Sequence, residues 1–178
     1  MNDGEYHLQL RLFDSADEAI FKQDLGWITV TQMERLFTPP PFTNRLGGTF
    51  GNEITLLGYN LEPTIDGYLL DLIWQAQSTP AADYTVFAHV LHPDGTCCAW
   101  QQDVMPQQNS YPTSRWLPGE VVVDSYQIML PDEAEPGEYG LEVGLYVAEN
   151  GRRLPVQTVN GETARRGTTD PYCPAVKI

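Results

Sequence analysis

The residues best suited to chemistry lie in one segment that reads as two strands joined by a turn. They are His89, His92, Cys97, Cys98 and Asp103. A hairpin would bring His89 near the cysteines, and an imidazole base beside a thiol favours the thiolate, which is the nucleophile of cysteine hydrolases. The sequence carries no recognisable oxyanion site, and His89 alternates with Phe87 and Leu91 as a half-buried strand residue does. We therefore expect His89 to be a structural histidine and expect no catalytic residue.

The chain has three cysteines, and their spacing predicts neither a metal site nor a disulfide. Neighbouring residues of a regular strand face opposite sides of the sheet, so at most one of Cys97 and Cys98 could reach Cys173. No CxxC spacing indicates zinc. We expect three unpaired thiols, no metal and no cofactor.

The chain is strongly acidic, with a formal net charge of −14. This charge excludes nucleic acids and anionic membrane surfaces as partners, because binding to phosphate draws on clustered Lys and Arg. The carboxylates considered as ligands are Asp83, Asp94, Asp103, Asp124, Asp132, Glu133 and Glu135. A calcium site needs roughly six to eight converging oxygens, usually in a DxDxDG-like loop that is missing from this sequence. We interpret these carboxylates as a solvated acidic face.

Aromatic side chains are the feature best suited to a ligand, because the apolar faces of sugars stack on Trp and Tyr. Tyr111 and Trp116 lie in the loop YPTSRWLPGE, with Asn109 and Arg115 nearby. Together they predict an exposed platform for neutral glycans, to which Trp100 is a further candidate. The alternative is that Trp116 closes one end of the fold as a structural plug.

Strict apolar and polar alternation, bounded by Gly, Pro, Asn and Asp, predicts an all-β chain. The fold class is a two-sheet antiparallel sandwich, immunoglobulin-like or jelly-roll, with an extra N-terminal β-hairpin. Strands are expected at 5–13, 54–61, 68–76, 84–91, 97–104, 121–130, 139–147, 153–159 and 175–178. The side chains expected to face the core include Tyr68, Leu70, Leu72, Trp74, Tyr139, Leu141, Val143 and Leu145, with Glu142 on the opposite, outer face.

A sequence repeat divides the chain. The segment GEYHLQLRLF at 4–13 is similar to the segment GEYGLEVGLY at 137–146, with five of the ten residues identical. We therefore interpret residues 1–36 as the terminal hairpin of a preceding truncated repeat, 37–44 as a Pro-rich linker and 45–178 as a complete sandwich domain, and expect tandem copies in the natural protein. An isolated hairpin is marginal in water, so residues 1–30 should dock on their own sandwich or swap into a homodimer.

Several sequence segments of the predicted domain at 45–178, taken together, resemble the C-terminal extracytoplasmic β-sandwich domain of bacterial membrane glycosyltransferases of the protein O-mannosyltransferase type. They are LLGYNLEP, DYTVFAHVLHPDG, QQDVMP, YPTSRWLPGE and GEYGLEVGLY. The resemblance covers roughly residues 50–178, although the CysCys pair departs from the familiar hairpin. It implies a non-catalytic accessory module, because the transferase chemistry of such enzymes belongs to their membrane-spanning part.

The resemblance also implies a location on the extracytoplasmic side of a bacterial membrane, as part of a larger protein, and a neutral glycan or an envelope protein as partner. The first residues lack the basic and apolar regions of a signal peptide, so an export signal is expected elsewhere. The alternative function is that of a free-standing jelly-roll hydrolase. The two classes differ in genetic context, because an accessory module predicts a reading frame with many hydrophobic spans upstream.

Overall fold

A computed structural model describes residues 3–30 and 34–157, together with the backbone of 176–177. The chain divides into two compact units, Met1–Arg35 and Leu36–Ile178. The strands of the first unit are β1 (Gly4–Phe13) and β2 (Ala19–Val30). Those of the second unit are β3 (Asn44–Phe50), β4 (Ile54–Thr64), β5 (Gly67–Ala76), β6 (Tyr84–Leu91), β7 (Cys97–Val104), β8 (Val121–Ile128), β9 (Gly140–Val147), β10 (Arg152–Arg153), β11 (Val156–Gln157) and β12 (Val176–Lys177).

The second unit is a sandwich of two antiparallel sheets, as the sequence predicts. One sheet has the strand order β11-β3-β4-β5-β8, and the other has the order β10-β9-β6-β7, with β12 also paired to β9. The strand expected at 153–159 is instead two short strands that pair with different sheets, because β10 pairs with β9 and β11 with β3. The described residues include one short 3-10 helix, Thr113–Arg115, and no α-helix.

The core lies between the inner faces of the two sheets and follows the predicted alternation. Leu70, Leu72 and Trp74 of β5 are fully buried, and they belong to one cluster with Val86, Ala88, Val90, Leu141, Val143 and Leu145. Burying such a side chain contributes roughly 1.5–3 kcal/mol. One expectation on facing is wrong, that for Tyr68, and one residue on the expected face, Glu142, is less exposed than that face suggests. Tyr68 is 43% exposed because it stands beside the β4–β5 turn, and Glu142 faces outward but is only 4% exposed.

The Pro-rich segment is attached to the sandwich. Leu36 accepts a hydrogen bond from the backbone N–H of Val121 (2.8 Å), and the N–H of Thr43 donates to Asn60 Oδ1 (2.8 Å). The ring of Phe42 lies where a side chain on Gly58 would stand, so only glycine fits there. β3, which follows directly, escaped prediction because its sequence NRLGGTF lacks clear alternation.

Hydrogen bonds cover the outer edge of β8 at three alternate residues, Val121, Val123 and Ser125. Val121 donates its N–H to the carbonyl of Leu36, as above. Gln107 Nε2 then donates to the carbonyl of Val123 (3.4 Å), and Gln108 Nε2 donates to the carbonyl of Ser125 (3.2 Å). The segment that follows β7 thus covers the edge of β8.

The first unit is a two-stranded hairpin with much apolar surface. β1 and β2 pair antiparallel from Gly4 opposite Val30 to Phe13 opposite Ala19. Its exposed apolar side chains are Leu8, Leu10, Leu12, Phe13, Ile20, Phe21, Leu25, Trp27 and Ile28. Docking of this hairpin, on its own sandwich or in a swapped dimer, stays a prediction.

Removal of residues 1–35 tests that prediction. If the hairpin docks, its apolar face is withdrawn from water, and the deletion should lower the melting temperature by about 2–4 °C for each kcal/mol lost. Light scattering then separates the two modes, because the molar mass halves only if the hairpin is swapped. Leu10→Ser should reproduce the destabilisation, whereas Ile65→Ser, at a fully exposed position of the sandwich, should not. Unchanged melting and mass after the deletion would contradict docking.

Candidate functional site

The aromatic pair predicted as an exposed platform is buried. Trp116 is 0% exposed and Tyr111 is 3% exposed, and both belong to the core cluster. Their ring centroids lie 6.3 Å apart, and Trp116 Nε1 donates to the backbone carbonyl of Tyr111 (3.3 Å). The platform hypothesis is therefore wrong for these two residues, and the alternative of a structural role for Trp116 is confirmed.

A buried carboxylate explains why this loop folds inward. Glu120 is 1% exposed, and its Oε1 accepts a hydrogen bond from the Tyr111 hydroxyl (2.6 Å) while its Oε2 accepts one from the backbone N–H of Leu117 (2.8 Å). A carboxylate at this depth is tolerated only with such partners. The loop must therefore wrap around Glu120, which draws both aromatic rings into the core.

The other three predicted ligand residues do not form a platform either. Asn109 is exposed and has a positive φ of 67°, and its Oδ1 accepts a hydrogen bond from the backbone N–H of Met105 (3.1 Å). Arg115 ends the 3-10 helix with its side chain exposed. Trp100 is half-buried on β7 and packs against the core. The geometry therefore assigns a loop-forming role to Asn109 and a packing role to Trp100.

A second buried carboxylate, Asp124, was predicted to belong to a solvated acidic face, and that expectation is wrong. Asp124 is 0% exposed and lies on the inner face of β8. Its Oδ1 accepts from the backbone N–H of Gln107 (2.8 Å), and its Oδ2 accepts from the Tyr126 hydroxyl (2.6 Å). Burial raises the pKa of Asp124 to about 6 against the opposing effect of these bonds.

A groove on the described surface is large enough for a small ligand, with a volume of about 660 Å³. It lies between the β6–β7 turn and the segment that joins β8 to β9. The residues that line it include His92, Asp94, Ala99, Glu133, Glu135 and Tyr139. Gly137 helps to form it, because a Cβ there would lie 2.6 Å from Pro93 Cγ, so glycine lets the two segments approach.

The groove combines aromatic rings with oxygen acceptors. The rings of His92 and Tyr139 lie 6.5 Å apart, and the Tyr139 hydroxyl donates to the backbone carbonyl of Glu135 (2.7 Å). Asp94 accepts hydrogen bonds from both the backbone N–H and the hydroxyl of Thr96, which lower its pKa. The sequence assigned His92 only to a turn and the two glutamates to a solvated face. The sequence does not indicate that the β6–β7 turn and the β8–β9 connection, which are far apart in the chain, meet in space.

The cysteine and histidine neighbourhood is assembled by β6 and β7. His89 is 8% exposed, and its Nε2 lies 2.6 Å from Asp103 Oδ1, which confirms the expected satisfied histidine. A ring nitrogen of His89 and the sulfurs of Cys97 and Cys98 lie within 4.8 Å of one another. His92 is not part of this cluster.

The expectation of three unpaired thiols is wrong, because the structure joins Cys97 to Cys98 in a disulfide. That expectation assumed a regular strand. The pairing shifts instead from Val90 opposite Trp100 to Leu91 opposite Cys97, so Cys98 and Ala99 are extra residues in β7. At such a bulge the alternation of facing is lost, and adjacent side chains can turn to the same side. Cys173 lies outside the described residues.

Trp116→Ala should lower the free energy of unfolding by about 3–5 kcal/mol, as expected for loss of a fully buried tryptophan. Tyr111→Phe should cost about 1–3 kcal/mol, because the buried Glu120 carboxylate loses the hydrogen bond from the Tyr111 hydroxyl. The control is Leu117→Ala at a neighbouring exposed position, which should change stability by about 0.5 kcal/mol or less. Urea denaturation measures all three. A Trp116→Ala variant as stable as the unsubstituted protein would refute the plug.

Asp124 should make stability depend on pH. Its pKa is about 6 in the folded protein against an ordinary value of 3.8, so between these values the folded state keeps a proton that the unfolded chain has lost. The free energy of unfolding should therefore fall, by on the order of 3 kcal/mol, as pH rises from about 4 to 6. In Asp124→Asn this contribution should disappear. Urea denaturation across this range measures it, and identical pH profiles for the two proteins would contradict the assignment.

Comparison with known proteins identifies no relative. Searches of protein-family models, of curated proteins and of solved structures found no match to this chain. No helix in the part of the chain that the structure describes is long and apolar enough to cross a bilayer.

Proposed function

We propose that the chain is a non-catalytic binding module that holds a short neutral saccharide in the groove between the β6–β7 turn and the β8–β9 connection. The observation that carries the proposal is the groove itself, whose volume of about 660 Å³ lies within the roughly 300–1,000 Å³ typical of small-molecule sites. The proposal keeps the predicted ligand class and moves it from Tyr111 and Trp116 to a different surface.

The groove chemistry suits sugar hydroxyls. The half-buried rings of His92 and Tyr139 offer apolar faces on which a pyranose can stack. The carboxylates of Glu133 and Glu135 are exposed acceptors for hydroxyl protons. Among the described residues, no Lys or Arg lines the groove. Neutral sugars are therefore favoured over uronic or sulfated ones, which the carboxylates repel.

The resemblance noted in the sequence extends this proposal to a cellular setting. In that setting the sandwich is an extracytoplasmic accessory domain of a larger bacterial membrane glycosyltransferase, and it contacts the glycan or the acceptor while the membrane part performs the transfer. The quoted phrases support this placement, and two of them contribute to the groove: DYTVFAHVLHPDG supplies His92 and Asp94, and GEYGLEVGLY supplies Tyr139.

The alternative of a jelly-roll hydrolase has less support. A cysteine nucleophile requires a thiolate, and both candidate sulfurs are joined in the disulfide. The histidine that would serve as base is bonded to Asp103 and is 8% exposed. The arrangement therefore favours a structural pair over a nucleophile and base.

Titration with neutral manno- and gluco-oligosaccharides, followed by NMR shifts of backbone amides, tests the proposal. Saturable shifts should centre on the β6–β7 turn and residues 131–139, with a Kd on the order of 0.1–1 mM, because few contacts must offset the entropy lost on association. Tyr139→Phe keeps the stacking face and should retain most of the affinity, whereas Tyr139→Ala should lose about tenfold or more.

The matched control is Tyr68→Ala, which removes an exposed tyrosine on β5, away from the groove-lining residues, and should leave affinity unchanged. Oligosaccharides of uronic acids should bind at least about tenfold more weakly than neutral ones, because of charge repulsion. Absence of saturable shifts up to about 10 mM of any neutral glycan, well above the expected Kd, would overturn the proposal.

A further inference from the structure

Three side chains of types that commonly bind metals meet on the sheet that contains β6 and β7, and none of them is among the residues that line the groove. One ligand atom from each of His89, Cys97 and Cys98 lies within 4.8 Å of the other two. Cys97 is exposed, Cys98 is half-buried and His89 is buried. The cluster is thus anchored at the imidazole and open to solvent at the sulfurs, so a cation can enter.

The fold, rather than a spacing motif, creates this cluster. His89 pairs with Gln101 across the β6–β7 hairpin, and the bulge at Cys98 and Ala99 re-aims the two cysteines. A regular strand would have sent the two sulfurs to opposite faces. The sequence contains no CxxC pattern, and the site can be found only from the structure.

The surroundings of His89 resemble the outer shell of a metal site. A histidine that binds a metal generally contacts a carboxylate through its second nitrogen, which orients the ring and raises its basicity. Asp103 Oδ1 lies 2.6 Å from His89 Nε2. The buried Glu142 is paired directly with His89 on the neighbouring strand β9. Two nearby carboxylates make this part of the sheet favourable for a cation.

We propose that the reduced form of this cluster is a binding site for a thiophilic divalent cation, with Zn²⁺ as the favoured ion, held by the thiolates of Cys97 and Cys98 and the imidazole of His89. Two sulfurs and one nitrogen are the donors that zinc accepts, and they leave a fourth tetrahedral position for water or an external ligand. Hard ions such as Ca²⁺ and Mg²⁺ prefer oxygen donors and are disfavoured.

The redox state of the cysteine pair determines whether the site can bind a cation. In the disulfide the two sulfurs are bonded to each other, and neither is a thiolate. A phosphine reductant opens the disulfide by taking up the oxygen of one water molecule, which yields two thiols and a phosphine oxide. Binding of one divalent cation then releases the two thiol protons. The oxidised protein should therefore not bind the cation, and the reduced protein should.

The test uses the full chain, reduced with a phosphine and freed of metal by a chelator, under argon. Co²⁺ serves as a spectroscopic substitute for Zn²⁺, because thiolate ligation produces an intense charge-transfer absorption in the near ultraviolet. We expect this absorption to saturate at one Co²⁺ per chain and to disappear on addition of one equivalent of Zn²⁺. The oxidised chain should show no such absorption.

Cys97→Ser, Cys98→Ser and His89→Gln should each weaken Co²⁺ binding by at least about 100-fold, because each removes a donor, and loss of a ligand costs more than the roughly 10–100-fold that follows loss of an outer-shell partner. Asp103→Asn keeps all three donors and should weaken binding by about 10–100-fold. If circular dichroism shows that His89→Gln does not fold, the Asp103→Asn variant still tests the contribution of His89 to binding. Matched controls are Cys173→Ser and His7→Asn, which change the same residue types at positions other than the three proposed donors and should leave binding unchanged.

Each result decides the proposal. Stoichiometric absorption that depends on both adjacent cysteines and on His89, or on Asp103 where His89→Gln does not fold, supports it. Absence of the absorption in the reduced chain, full binding by either Cys→Ser variant, or loss of binding in Cys173→Ser would overturn the three-donor site.

Discussion

Two carboxylates buried between the sheets, those of Glu120 and Asp124, constrain how the chain passes from β7 to β8. Neither can stay in an apolar interior without donors. Glu120 takes donors from Tyr111 and Leu117, and Asp124 takes one from Gln107. The connection therefore folds back along the sandwich, and Trp116 is carried into the core with it. The groove lies elsewhere, on segments without buried carboxylates.

The fold was predictable because it depends mainly on alternation. The bounds of β6 and β7 follow from the apolar pattern at 84–91 and 97–104, and Leu70, Leu72 and Trp74 face the core as expected. β3 could not be predicted, since its glycines carry no facing signal. The two short strands β10 and β11 could not be separated, because the pattern does not show where a chain changes sheets.

The candidate sites were less predictable, and the reasons are physical. Loop aromatics beside polar residues look exposed in sequence, but one acidic residue nearby, Glu120, reverses that interpretation by recruiting Tyr111 as a donor. The groove requires the contact of Pro93 with Gly137, two positions far apart in the chain. The Cys97–Cys98 pair requires a bulge, and bulges depend on the partner strand. In each case the decisive interaction is nonlocal.

The bonded edge of β8 has a consequence for solubility. A sheet edge with free N–H and C=O groups is a template on which another molecule can extend the sheet, and such growth leads to aggregation. Here a strand from another molecule would have to displace the carbonyl of Leu36 and the amides of Gln107 and Gln108 to pair with Val121, Val123 and Ser125. Those two glutamines thus act as gatekeepers against intermolecular sheet growth at this margin of the sandwich.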